Sequence, residues 1–218
     1  DRPADFNYSF TGFVDFLEEA LSVLGIEKIH LVVHDMGGPV GFAFAAKNAN
    51  NIKSLTILNS WIDVVNFSKP WFMQTLETPV IGEAELKLIT HKTWTFMFDS
   101  IGIHNAAMVP EKEKEAYVDI LKNQDNGQAF LKIIRNYNKS PEFRDLCFSA
   151  VQNVHYPIQA IWGAEDPSLT INRYGEEIAK LANIKSIEPL YSKHLLQEEV
   201  WEALAVEIDE FIGKSANI

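Results

Sequence analysis

Apolar residues recur every third or fourth position from Ser9 onward. Phe10, Phe13, Val14, Leu17, Leu21 and Leu24 make one stripe and Gly25 ends it, which predicts a helix with a single buried face. The pattern then changes period. Ile29 to Val33 is an apolar run broken only by His30, as expected of a strand buried on both faces of a parallel sheet. A small-residue helical pattern follows from about Pro39 to Lys47, and Ser54 to Leu58 reads as the next strand. From residue 62 to about 153 the alternation stops. Amphipathic stretches lie around 83–98, 111–123 and 126–137, punctuated by Pro70, Pro79, Pro110 and Pro141, and no strand pattern interrupts them. Ile158 to Trp162 resumes the sheet, followed by a helix near 171–182, a strand over Ile184 to Leu190 and a last helix over Glu198 to Ile212. The order predicts an α/β fold, a mostly parallel sheet flanked by helices with a helical insertion between two of its strands. The expected division is a core of residues 1–61 and 154–218 with a helical cap over 62–153.

Composition narrows the class of function. A chain of 218 residues with 47% hydrophobic and 22% charged residues can bury a substantial core. The formal charge of −11 excludes nucleic acid and anionic membrane surfaces as natural partners, and no apolar run is long enough to span a bilayer. Cys147 is the single cysteine, so no internal disulfide forms; it is expected to be a buried small hydrophobe in a reducing, cytoplasmic compartment. The six histidines are scattered without ligand-like spacing, so no metal site is expected. Gly37-Gly38-Pro39-Val40-Gly41 lacks the lysine of a phosphate loop and the spacing of a dinucleotide fingerprint, so no cofactor is expected either.

The chemistry concentrates at strand ends. Val-Val-His-Asp-Met-Gly-Gly joins a strand to a helix through a tight turn, the arrangement that lifts a nucleophile to the top of an α/β sheet, and the nucleophile position holds Asp35. Gly37 and Gly38 are expected to let helix and strand approach without a Cβ clash. Asp166, in Ile-Trp-Gly-Ala-Glu-Asp-Pro, and His194, in Tyr-Ser-Lys-His-Leu-Leu-Gln-Glu-Glu, each lie just beyond a predicted strand, where reacting groups gather in open α/β sheets. Nucleophile, acid and histidine stand in the chain order of an α/β-hydrolase triad. A carboxylate nucleophile is already ionised at neutral pH and needs no base to attack. Attack on an sp³ carbon leaves an alkyl ester on Asp35, which water activated by His194 then hydrolyses. The backbone N–H of Met36 is placed to stabilise the oxyanion of that second step.

These motifs resemble the haloalkane dehalogenase and epoxide hydrolase branch of the α/β-hydrolases. Val-Val-His-Asp-Met-Gly-Gly-Pro-Val-Gly is similar to that branch's elbow, and Leu-Asn-Ser-Trp and His-Leu-Leu-Gln-Glu-Glu look most like its dehalogenase members. The resemblance implies Asp35 as nucleophile, Asp166 as acid and His194 as base, acting on a small apolar substrate and water. The sequence departs from the family at two places. Dehalogenases typically have a halide-binding Trp after the nucleophile, whereas Met36 has no side-chain donor. Trp71 and Trp94 are candidates to replace it, and Tyr117 and Tyr137 are candidates for the acidic tyrosines of epoxide hydrolases. The family's early His-Gly loop has no counterpart, while Asp1-Arg2-Pro3 matches the end of a stretch that precedes the helix before the nucleophile strand. The resemblance therefore implies the C-terminal part of the fold, lacking the first four strands. The strand at 29–33 is then expected to be an open sheet edge, covered by a preceding N-terminal segment or by a partner, self-association included.

Overall fold

The computed structural model describes residues 2–215, so Asp1 of the Asp-Arg-Pro stretch lies outside the described residues. Four parallel strands, β1 (Ile29–Asp35), β2 (Ile52–Ser60), β3 (Ile158–Gly163) and β4 (Glu188–Leu190), pair in chain order. Helix α1 (Phe10–Val23) precedes the sheet and α2 (Gly37–Lys47) joins β1 to β2. Between β2 and β3 the described residues form only helices and loops. The helices are α3 (Trp71–Gln74), α4 (Ile81–Leu88), α5 (His91–Met97), α6 (Glu111–Lys122), α7 (Gln128–Arg135) and α8 (Pro141–Ser149). The chain closes with α9 (Glu176–Ala182), α10 (Leu196–Glu199) and α11 (Trp201–Ser215).

Strand parity sorts the core into two layers. Leu55 and Ile57 of β2 face the larger cluster, with Phe10 and Val14 of α1, Phe42 and Phe44 of α2, Cys147 of α8 and Ile178 of α9. Leu58, of opposite parity, joins Ile161, Leu196 and Leu204 under α10 and α11. The apolar runs of β2 and β3 are thus covered on both faces, as a parallel sheet requires. The cover stops at β1. Among the described residues β1 pairs with β2 alone, and Val32, on the α11 side of the sheet, is 42% exposed.

Several element boundaries differ from the sequence-based expectation, each for a local reason. β2 runs on to Ser60 because Asp35 still pairs with that residue across a bulge. β4 shrinks to three residues: Asn183 takes a left-handed conformation at φ 55° after α9, and the Ile184 N–H is spent on the Ala179 carbonyl. The stretch 83–98 divides at Thr90, whose side chain caps α5 through the Thr93 N–H at 3.3 Å. Pro141 starts α8 instead of ending an element, with Ser140 as the cap. The last helix breaks between Glu199 and Trp201. Leu24, the end of the first apolar stripe, lies past the helix and is exposed.

Candidate functional site

Asp35 ends β1 at the bulge, with φ 46°. A non-glycine residue in this region costs roughly 1–3 kcal/mol and persists only where its surroundings dictate it. Those surroundings are close-packed. A Cβ on Gly38 would sit 1.8 Å from Ser60 Oγ, and one on Gly41 would sit 2.3 Å from Val33 Cγ1, so α2 rests directly on β1 and β2. The same hydroxyl of Ser60 donates to the Asp35 carbonyl at 2.8 Å. Gly37, in contrast, would admit a Cβ with nothing within 4 Å, so Gly38 and Gly41 provide the close approach that was expected of Gly37 and Gly38. The Asp35 carboxylate remains accessible, with 36% of its side chain exposed. Met36 leads into α2, whose first N–H groups have no partner within the helix and carry the positive end of its dipole.

The loop after β4 brings His194 to this carboxylate. Its Nε2 lies 3.7 Å from Asp35 Oδ1 and its Nδ1 lies 2.7 Å from Asp166 Oδ2. The ionised Asp166 only accepts hydrogen bonds, so Nδ1 carries the proton and Nε2 presents its lone pair toward Asp35. The Asp166 side chain is fully buried and every lone-pair direction is used. Oδ2 accepts from His194 and from Asn59 Nδ2 at 2.7 Å, and Oδ1 accepts from the N–H groups of Ser168 and Leu169 at 2.8 and 2.9 Å. Burial alone would push this carboxyl up, but those hydrogen bonds, His194 foremost, hold it below its ordinary value. Burial pulls His194 down, and the Asp166 hydrogen bond together with the Asp35 charge outweighs it, leaving the imidazole above its usual value.

Two further residues brace the relay, and reading the motifs for chemistry alone missed both. Asn59 grips Asp166 through its amide nitrogen while its oxygen accepts from the Gly163 N–H at 2.8 Å, tying the end of β2 to the end of β3. His34 donates from Nε2 to the His194 carbonyl at 2.9 Å, with the two rings 4.8 Å apart. Burial, then the nearby His194, keeps His34 below its usual value and hence neutral. Both residues stand in motifs visible in the sequence, next to Asp35 and Ser60, but their partners are more than a hundred positions away.

The four aromatic candidates separate. Tyr137 Oη donates to the Met36 sulfur at 2.6 Å, beside the elbow, and its ring packs against Phe10, Trp61 and Phe67. Burial and the Asp35 charge raise its phenol far above the ordinary range, so it stays protonated. Tyr117 Oη donates to Glu198 Oε1 at 2.5 Å; burial and that carboxylate raise it likewise. Trp94 stacks on Tyr117 in a cluster that includes Leu195, and its indole Nε1 is buried without a partner among the described residues. Trp71 is 81% exposed at the start of α3. Trp61 has a second unpartnered, buried indole N–H and stacks on Phe67 at 3.9 Å. Cys147 is buried in the core, and burial pushes its thiol up to about 12. Among the described residues no group of three or more His, Cys, Asp or Glu side chains could hold a metal ion, and no helix is long and apolar enough to cross a membrane.

Comparison with known proteins aligns with this geometry. The profile of the alpha/beta hydrolase fold family matches residues 1–199. Cis-3-alkyl-4-alkyloxetan-2-one decarboxylase of Shewanella oneidensis is 27% identical over 180 residues, which cover 76% of this chain and 55% of that protein. Epoxide hydrolase 2 of Caenorhabditis elegans is 21% identical over 233 residues, 99% of this chain and 63% of its own. Among solved structures, haloalkane dehalogenase DbeA from Bradyrhizobium elkani USDA94 superposes with a TM-score of 0.75 at 21% identity, over 98% of this chain and 76% of that one. The chain spans about 55–63% of the length of these curated relatives.

Proposed function

The chain belongs to the α/β hydrolase fold family, and from that premise we propose that it is a hydrolase acting through an alkyl ester on Asp35. The Asp35 carboxylate attacks an sp³ carbon of a small apolar substrate, forming an Asp35–O–C bond and expelling a halide. His194 Nε2 then takes a proton from water, and the resulting hydroxide adds to the ester carbonyl. The oxyanion faces the Met36 N–H at the start of α2. Collapse expels the alkoxide, which takes the proton from His194, and the Asp35 carboxyl group then releases the remaining water proton to solvent and returns to the carboxylate. The balance is substrate plus water giving alcohol plus hydrogen halide. Residues 62–153 act as a cap over a core of 1–61 and 154–218.

One observation carries this reading. His194 is hydrogen-bonded to Asp166 at 2.7 Å yet stands 3.7 Å from Asp35. A hydroxyl nucleophile needs a direct hydrogen bond to its base, whereas an ionised carboxylate needs none, and its base must reach a water instead. Met36 offers no side-chain donor for a departing halide. The unpartnered indole N–H groups of Trp61 and Trp94 are the donors we assign to that role. They come from the core and the cap respectively.

The Tyr137 hydroxyl beside Met36 favours a second reading, in which the leaving group is the oxygen of a strained ring and Tyr137 donates to it. The relatives point both ways, one being a haloalkane dehalogenase and another an epoxide hydrolase. Substitution of His194 by Ala stops the second step and leaves the first, so the variant incubated with short bromoalkanes gains the mass of the alkyl group on Asp35 and releases one halide per protein. Adducts from epoxides alone select the second reading. No adduct from either panel, with Asp35→Ala as the blank, identifies a hydrolase-like scaffold without this chemistry.

A further inference from the structure

Glu199 takes no part in the steps above, yet it is only 5% exposed, at the end of α10 and five residues past His194. A buried carboxylate is costly unless hydrogen bonds replace its water, and three donors do so here. Oε2 accepts from the backbone N–H of His104 at 2.8 Å and from the Ser192 hydroxyl at 2.9 Å, and Oε1 accepts from the backbone N–H of Asn105. Two of these donors belong to the helical insertion. The third lies in the His194 loop, two residues before the imidazole.

The two segments meet at more than this point. The Leu195 N–H donates to the Gly102 carbonyl at 2.7 Å, and Lys193 Nζ donates to the Ser100 carbonyl at 2.8 Å. A Cβ on Gly102 would lie 2.9 Å from Leu195 Cδ1, so the Leu195 side chain packs directly on the Gly102 backbone. The acid loop joins them: the Ser192 carbonyl accepts from the Glu165 N–H at 3.0 Å, and the Glu165 carboxylate accepts from His104 Nδ1 at 2.6 Å. Residues 100–105, 165 and 192–195 therefore form one hydrogen-bonded network, and three of them, His104, Asn105 and Ser192, hold the Glu199 carboxylate.

We infer that Glu199 is a positioning residue that couples the seating of the helical insertion to the alignment of His194, and so governs hydrolysis of the ester but not its formation. This inference rests on reading Asp35 as nucleophile and His194 as base. The two half-reactions separate because Asp35 attacks without a base, while the water-activating step depends on where Nε2 points. Displacing a catalytic group by about 1 Å can cost on the order of a hundredfold.

The test measures the two half-reactions separately, by rapid quench and intact mass, in Glu199→Gln and Ser192→Ala. Glutamine keeps the volume but turns an NH₂ toward donors that need an acceptor. Ser192→Ala removes only the link to the histidine loop and leaves the buried carboxylate its two backbone partners. The expected result for Glu199→Gln is ester hydrolysis slowed at least about tenfold, with ester formation within about twofold, so that the adduct accumulates during turnover. For Ser192→Ala the hydrolysis step alone slows by about threefold or more. Amide exchange in residues 100–105 and 191–195 accelerates together in both variants. Equal loss of both steps, or an unchanged hydrolysis rate, overturns the inference; if Glu199→Gln fails to fold, Ser192→Ala decides it. Failure of the Asp35 reading looks different, since His194→Ala then traps no adduct from any substrate. Exchange confined to one of the two segments still rejects the coupling in that case.

Discussion

Replacing Asp166 by asparagine isolates what the buried acid does. The side chain keeps its shape, and its amide oxygen can face the Ser168 and Leu169 N–H groups, which donate at 2.8 and 2.9 Å. The NH₂ group then faces two donors, Asn59 Nδ2 and His194 Nδ1, each 2.7 Å away. Asn59 is held in orientation by the Gly163 N–H on its own oxygen, so His194 is the partner that yields, moving its proton to Nε2. The base then presents a proton to the water it should deprotonate. Ester hydrolysis is expected to fall on the order of 10³–10⁴-fold, the scale of an amide replacing the buried acid of a serine-protease triad, while ester formation stays within a few-fold. Stability falls as well. Loss of one charge-assisted hydrogen bond and an unmatched Asn59 donor cost about 2–4 kcal/mol together. The pH dependence of that cost has a definite sign. Asp166 is held below its ordinary 3.8, so its contribution is fully present above that value and lost as pH falls through the lower folded value. The gap between wild type and variant in denaturant melts therefore narrows only below about pH 4. Single-turnover kinetics with intact-mass detection, at pH 7 and in parallel with melts from pH 2 to 7, checks both arms. Hydrolysis within tenfold of wild type, or formation and hydrolysis reduced equally, refutes the reasoning.

Other consequences are equally direct. His194 is held above its ordinary 6.5 by Asp166 and Asp35 against its burial, and only its neutral form accepts a proton. Esterification neutralises Asp35 and removes one of those charges. The acid limb of ester hydrolysis is therefore expected to have its midpoint below that of the imidazole in the free protein, with ester formation flat across that range. A single-turnover midpoint at or above the free-protein value read by NMR titration contradicts it. The stability owed to the same shift runs the other way, present below 6.5 and lost as pH rises through the folded value. Gly38→Ala places a methyl 1.8 Å from Ser60 Oγ and is expected to cost about 1–3 kcal/mol by overpacking, whereas Gly37→Ala meets nothing within 4 Å and stays within about 0.5 kcal/mol; thermal melts of the pair compare them. Trp61→Phe and Trp94→Phe keep a ring and delete an unpartnered indole N–H, so each is expected to slow halide release in the His194→Ala background by about tenfold. Unchanged release in both assigns the halide to another donor.

Much of this protein was legible in the linear chain because the governing physics is local. An apolar-rich run such as Ser54 to Leu58 or Ile158 to Trp162 has only one economical place in a small domain, between two layers of helices, whereas Ile29 to Val33 was expected there too and is left open at Val32. Asp35, Asp166 and His194 were visible because the ends of such runs are where side chains emerge from the sheet. The unpaired flank of β1 among the described residues matches what the family resemblance implied for the strand at 29–33. Cys147 was likewise expected in the core, where it lies.

Tertiary structure decided the rest, because it depends on pairs of residues that no period connects. β4 is three residues long because the Ile184 N–H is committed to α9 before a strand can begin. The close contact of α2 with the sheet falls on Gly38 and Gly41, because Ser60 and Val33 come across from two different strands. Tyr137 lies beside the elbow while Tyr117 is drawn to Glu198, although both sit on similar amphipathic patterns. The buried carboxylate of Asp166 is fixed against the His194 imidazole only because Asn59, Ser168, Leu169 and His194 converge on it from distant segments. Periodicity reports which face of an element is buried. Which donor meets which acceptor is decided only when distant segments close on each other.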